Sequence, residues 1–293
     1  MKNQQRAYGY ALITVLFWST VATAFKISLR NFNNVQLLAV ANLISFIVFL
    51  AMLAGSRRLF LLRELRPRDY ALSAAQGLLN PFGYYLIIFK SYSLLPAQVA
   101  QPANFIWPLV LMLLSVPLLK QPLKLTGILG LVISFAGVFV LATQGHFSDF
   151  KIVEPLGITL AMFTSVIWSL FWIINVKDTR DDLLKLFLSF GFSLIYVAIL
   201  LAFRDDKWPS FSGSWIAAVY VGLFEMGIAF VLWLKALKLS DSAGKVANLI
   251  YLTPFLSLIA IHFVLGEKLF STSVIGLCLI IAGIMTGRIK NKS

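Results

Sequence analysis

Residues 77–90 read GLLNPFGYYLIIFK, and residues 222–235 read GLFEMGIAFVLWLK. This match sets Gly77 opposite Gly222, Asn80 opposite Glu225 and Lys90 opposite Lys235, each 145 positions apart. It extends along the chain. Residues 103–107 (ANFIW) align with residues 247–251 (ANLIY) at a spacing of 144. Pro108 aligns with Pro254, Gln121 with Glu267, Gly130 with Gly276 and Gly137 with Gly283 at 146. Trp18-Ser19 aligns with Trp168-Ser169 at 150. Self-similarity at one nearly constant spacing marks a chain built from two copies of a unit. The units are expected at 1–148 and 149–293.

Each unit carries five apolar segments of about the 20 residues that a helix needs to cross a bilayer. They are expected near 8–27, 35–54, 70–89, 97–119 and 123–143, then 154–176, 183–203, 213–234, 243–265 and 270–288. Five is odd, so the second unit must enter the membrane from the opposite side. The expected fold class is an all-α polytopic membrane protein: ten transmembrane helices as a five-plus-five inverted-topology repeat. That architecture is a hallmark of secondary transporters, which place their site near the midplane between the repeats.

Composition agrees. Apolar residues make up 59% and charged residues 13%, with a mean hydropathy of +0.86. Ordinary soluble domains carry about 25% charged residues. A soluble enzyme and a nucleic-acid-binding protein are both excluded on this ground, despite the net charge of +13. A secreted disulfide scaffold fails on its single cysteine, Cys278.

The basic residues sit at the ends of the apolar runs and set the orientation. With the N-terminus on one side, 18 Lys and Arg fall there, including Arg57, Arg58, Arg63, Arg66 and Arg68 in one loop. The other side holds Lys26, Arg30, Lys90, Lys151, Arg204, Lys207 and Lys268. Both termini are therefore expected in the cytoplasm, as a multi-pass protein of a bacterial inner (plasma) membrane. Lys2, Arg6 and the sequence Ala22-Thr23-Ala24 mimic a cleavable signal peptide. The first span has a counterpart in the second unit, so it is expected to stay in the fold.

Several polar and aromatic residues lie at membrane depth. Glu225 falls about twelve residues into its span, where insertion of a charged side chain costs about 2.5–3.5 kcal/mol. Such a carboxyl suits proton coupling or capture of a substrate ammonium. Interhelical bonding, for instance to Asn80, is the plainer alternative. Gln76, Asn80 and Tyr84 recur every four residues and so are expected on one helix face, with Pro81 loosening the helix. Gln101, Asn104 and Trp107 occupy the fourth span, and Asn248 and Tyr251 the ninth. Pro108 and Pro254 are expected hinge points. Trp18, Trp107, Trp168, Trp172 and Trp233 lie within spans; aromatic walls beside one acid suit an amine or amino acid. Lys26 and Lys177 are expected to snorkel, with a substrate carboxylate as the alternative partner. No metal-ligand cluster, phosphate loop or catalytic constellation appears, so no cofactor and no catalytic residue is expected.

Ten spans, the inverted duplication, Trp18-Ser19, Trp168-Ser169 and the ending Leu265-Gly266-Glu267-Lys268-Leu269 resemble the EamA-type branch of the drug/metabolite transporter superfamily. Residues 17–20 (FWST), 104–108 (NFIWP), 167–169 (IWS) and 251–254 (YLTP) are similar to the bacterial aromatic amino-acid exporters within it. The resemblance implies a central cavity, with Trp18, Tyr84, Trp107, Trp168 and Tyr251 around the substrate. The chain departs from those exporters at Glu225, where a small or apolar residue is expected. The functional expectation is a secondary transporter exporting a small metabolite such as an amino acid or amine. Proton coupling through Glu225 and facilitated diffusion both remain open, and a lipid or larger-metabolite flippase of the same fold is the alternative. The expected partners are a small-molecule substrate, the lipid bilayer and, if coupling holds, protons, with no nucleic acid; oligomeric state is left open.

Overall fold

The computed structural model describes residues 4–120, 125–144, 154–240 and 248–287. Expectations resting on Lys2, Gln121, Lys124, Lys151, Lys245, Ala247, Arg288, Lys290 and Lys292, and on the side chain of Asn248, lie outside the described residues. So does the expected boundary between the two units.

All regular structure among the described residues is helical. The first helices are α1 (Gln4–Ser28) and α2 (Asn34–Gly55). Asn33 starts α2 by accepting at Oδ1 from the N–H of Val35 and Gln36, while Gln36 Oε1 accepts from the Asn33 N–H, a reciprocal cap. A broken segment follows: α3 (Pro67–Gly77), a wide π turn over Leu78–Gly83, and α4 (Tyr84–Leu94). Next come α5 (Ala97–Asn104), α6 (Trp107–Leu119), α7 (Leu125–Thr143), α8 (Pro155–Lys177) and α9 (Asp182–Ala202). A second broken segment comprises α10 (Gly213–Tyr220), a π turn over Val221–Ile228 and α11 (Ala229–Leu239). A short turn at Asn248–Tyr251 leads into α12 (Leu252–Ala260), and α13 (Ser271–Gly287) closes the bundle.

Among the described residues, seven helical stretches are long and apolar enough to cross a membrane: Gln4–Ser28, Asn34–Gly55, Ala97–Leu119, Leu125–Thr143, Pro155–Asn175, Asp182–Ala202 and Gly213–Leu239. Leu249–Leu265 and Ser271–Gly287 are shorter and apolar. The bundle is apolar outside and polar within. Leu16, Val132, Phe163 and Ile195 are more than half exposed, whereas Asn42, Ser45, Gln76 and Asn80 are fully buried. Lipid reverses the usual penalty on exposed apolar groups, so small polar side chains serve as links between helices. Asn42 Nδ2 donates to Ser193 Oγ at 2.8 Å, Ser45 Oγ to Gly222 O at 2.8 Å and Ser134 Oγ to Ile280 O at 2.9 Å.

Glycines allow close approach where two backbones meet. α7 lies on α13 with Gly130 against Gly283 O and Gly137 against Gly276 O; a Cβ on Gly137 would stand 2.6 Å from that oxygen. Gly77 meets Ser189 O of α9, and a Cβ on Gly222 would stand 2.6 Å from Ala41 O of α2. Gly266 has a positive φ of 70°, which lets its N–H turn back onto His262 O at 3.1 Å and end the segment. Glu267 of the 265–269 motif then caps α5, accepting from Ala97 N at 3.1 Å and Gln98 Nε2 at 3.3 Å. That motif links helices and stands away from the central cavity.

Candidate functional site

Prolines mark two of the helix breaks, at Pro81 and at Pro108. The residue before a proline is driven out of the helical region, and Asn80, before Pro81, is extended (φ −150°, ψ 122°). The expected face of Gln76, Asn80 and Tyr84 is therefore not continuous. The π turn rotates everything after residue 80 relative to α3, and the three side chains part company. Gln76 Nε2 donates to Asp178 Oδ2 at 3.2 Å, and its Oε1 accepts from Arg180. Asn80 is fully buried with neither side-chain polar atom partnered, and it does not line the central cavity. Tyr84 does.

Pro108 lacks an N–H, so the carbonyl four residues earlier, Asn104 O, loses its helical donor. Ser165 Oγ supplies one at 2.8 Å, and Ser169 Oγ donates to Trp107 O at 3.0 Å. The serine of the Trp168-Ser169 motif thus ties α8 to the break between α5 and α6. Ser19 of the first motif bonds only within its own helix, to Leu16 O. Pro108 and Pro254 both sit in the first turn of a helix that follows a break, where a missing N–H costs least.

These breaks surround a cavity of about 90 Å³ at the centre of the bundle. By the same measure a single water needs about 10–15 Å³. α1 contributes Trp18, Val21 and Phe25, and α4 contributes Tyr84, Ile88 and Tyr92. Gln101, Asn104, Phe105 and Trp107 come from the α5–α6 region, and Trp168 and Trp172 from α8. Glu225 enters from the second π turn, Trp233 from α11, Ile250 from the short turn before α12 and Thr253 from the start of α12. The walls are aromatic and interlocked. Trp18 and Trp233 have ring centroids 5.5 Å apart, Tyr84 and Trp168 4.8 Å, and Trp168 and Trp172 5.9 Å.

Glu225 is the one acid among the described lining residues. It is 8% exposed. Its Oε1 accepts from Tyr85 Oη at 3.0 Å, and its Oε2 has no partner. Its partner is therefore Tyr85 and not Asn80. Sequence spacing passed over Tyr85 because it falls outside the stripe of every fourth residue formed by Gln76, Asn80 and Tyr84. Tyr84 Oη donates to Asn104 Oδ1 at 3.2 Å, and Asn104 Nδ2 donates to Thr164 Oγ1 at 2.8 Å. Three further lining atoms are buried without partners: Trp18 Nε1, Gln101 Oε1 and Thr253 Oγ1.

Not every expected site residue reaches the cavity. Tyr251 touches a wall residue, its ring edge-on to Phe105 at 6.4 Å, without lining the space itself. Lys26 Nζ donates to Tyr92 O and Leu95 O, both at 3.0 Å, and so closes the C-terminus of α4. Lys177 Nζ does the same for Leu118 O of α6 at 2.9 Å. His262 Nδ1 lies 2.9 Å from Glu267 O, outside the cavity.

A helical bundle with an apolar exterior, polar interhelical links and an aromatic cavity at its centre is built as a multi-pass integral membrane protein. The sequence profile of the EamA-like transporter family matches residues 5–143 and again residues 155–286. This chain belongs to the EamA-like transporter family, within the drug/metabolite transporter superfamily; it is a transporter and not an enzyme. Among its relatives, an uncharacterized transporter of Clostridium kluyveri is 24% identical over 98% of this chain and 94% of its own length. The aromatic amino acid exporter YddG of Ancylobacter novellus is 30% identical over 62% of this chain and 63% of its own. A probable terminal-alkyne amino-acid exporter of Streptantibioticus cattleyicolor is 25% identical over 96% and 92%. A crystal structure superposes with a TM-score of 0.69 at 24% identity, covering 98% of this chain and 97% of its own, and bears on the fold alone.

Proposed function

We propose that this protein is a secondary-active exporter of a small metabolite, an amino acid or related amine, in a bacterial inner membrane. Ten segments cross the bilayer with both termini in the cytoplasm. The units 1–148 and 149–293 are inverted copies that rock about the central cavity, with Pro108 and Pro254 as hinges. Glu225 binds the substrate amine and a proton in turn. Asn104, Gln101, Tyr84, Trp18, Trp107 and Trp168 line the substrate site; Asn80, Gln76, Asn248 and Tyr251 support it.

The observation that carries this reading is a cavity walled by residues of both units, with the half-partnered carboxyl of Glu225 at its edge. A ligand amine suits the free oxygen, and the phenol of Tyr85 fixes the other. Two features support inversion. The contact of Gly130 with Gly283 becomes that of Gly276 with Gly137 when repeat partners are exchanged, and both contacts occur. A contact that maps onto itself implies a two-fold relation between the helices. The repeat partners Asn80 and Glu225 also both fall within π turns. Two relatives are named as amino-acid exporters, which supports the substrate range.

Counterflow in proteoliposomes tests the reading, using labelled aromatic, aliphatic, cationic and anionic amino acids together with simple amines. Saturable exchange of one class is expected, with proton-driven flux lost in Glu225→Gln. A single-channel current, lipid scrambling without solute exchange, or unchanged flux and pH dependence in Glu225→Gln overturns it.

A further inference from the structure

We infer that the cavity selects amines that lack a carboxylate, monocations with an apolar or aromatic body, over the corresponding zwitterionic amino acids. This inference rests on the carrier reading only for the act of transport; the selectivity is a property of the cavity.

The lining carries one carboxyl, Glu225, and no Lys or Arg among the described residues. Two lysines begin close in sequence to the Trp-Ser motifs and were plausible anchors for a substrate carboxylate. Both are spent elsewhere: Lys26 on Tyr92 O and Leu95 O, Lys177 on Leu118 O. A zwitterion entering the cavity would bring a carboxylate with no cation to meet it. Burying a charge without a partner is strongly unfavourable.

The unpartnered atoms favour the same ligand. Among the fully buried atoms, Glu225 Oε2 and Gln101 Oε1 accept, Thr253 Oγ1 does either and Trp18 Nε1 donates. An ammonium can donate to both acceptors, one of them the carboxyl of Glu225, whereas a carboxylate can donate to neither. The faces of Trp18, Trp168 and Trp233 add attraction for a cation and contact for an apolar body.

The test is equilibrium binding of labelled ligand pairs to the purified full-length protein in detergent, followed by counterflow in proteoliposomes. The pairs are tryptamine with tryptophan and phenethylamine with phenylalanine, and tryptophol is the neutral control. Each amine is expected to bind at least tenfold tighter than its amino acid and than the alcohol. Glu225→Gln is expected to abolish that preference. Because each ratio is measured within one protein, a loss of fold cannot mimic it. Equal or tighter binding of the amino acid, no binding of either member, or a preference that survives Glu225→Gln overturns the inference. Amine binding without counterflow upholds the selectivity and defeats the carrier reading. Counterflow that prefers the amino acid does the reverse.

Discussion

Removing the Tyr85 hydroxyl is expected to reverse the sign of its effect according to what occupies position 225. Tyr85 is fully buried, and its hydroxyl donates to Glu225 Oε1 at 3.0 Å. Tyr85→Phe therefore leaves a buried carboxyl with neither oxygen partnered by the protein. The loss of a bond to such a group is worth about 1–3 kcal/mol. Glu225→Met deletes the acceptor and keeps the side-chain volume. It also removes a carboxyl whose placement at membrane depth costs about 2.5–3.5 kcal/mol, so this variant is expected to be as stable as the parent or more so, and inactive in transport. In the Glu225→Met background the Tyr85 hydroxyl is the orphan, and Tyr85→Phe should be neutral or stabilising. The two substitutions should therefore couple by about 1–3 kcal/mol, against about 0.3–0.5 kcal/mol for independent sites. Denaturant titration in mixed micelles on the four proteins measures the coupling. An equal cost of Tyr85→Phe in both backgrounds would refute the pairing of Tyr85 with Glu225, and with it the claim that one carboxyl oxygen is held while the other is left for a ligand.

Two further outcomes concern the frame around the cavity. Gly137→Leu places a side chain where Cβ alone would lie 2.6 Å from Gly276 O and 2.9 Å from Ile280 Cγ1, and backbone cannot step aside. A loss of about 3 kcal/mol, the upper end of overpacking costs, is expected in thermal or chemical unfolding, whereas Gly9→Leu, with nothing within 4 Å of its Cβ, should leave stability unchanged. Asp178, just beyond the end of α8, is pushed up by burial, but the hydrogen bonds and charge of Arg180 outweigh that and hold its carboxyl below the usual range. Its contribution to stability is then full above the ordinary carboxylate value of about 3.9 and is lost as pH falls through the lower folded value. Asp178→Asn should flatten the acid limb of the melting temperature against pH; an unchanged limb counts against the pair.

Much of the bundle was legible before any coordinates. Apolar runs marked the helical segments among the described residues, because burial of backbone in lipid leaves a helix few alternatives. Of the site, Glu225, Trp18, Tyr84, Gln101, Asn104, Trp107 and Trp168 could be picked out as polar or aromatic groups at membrane depth, and they border one cavity. Gln76 could not be told from them. Its spacing matched a cavity-facing stripe, but that spacing assumes an unbroken helix, and Asn80 breaks it. Lys26 and Lys177 were equally ambiguous, since a long cationic side chain reaches either a ligand or a neighbouring helix end.

The sequence alone determined the class of molecule. Its hydropathy demands lipid, a property carried by residue type and spacing alone. Tertiary structure alone decided the chemistry of the cavity. Tyr85 meets Glu225 across 140 positions, Ser165 repairs the carbonyl that Pro108 frees, and two lysines turn to helix ends instead of the site. Each depends on how far a π turn or proline break rotates one half-helix against another. A rotation of that kind leaves no periodic trace in the sequence, yet it decides which atoms of the cavity wall are left without a partner.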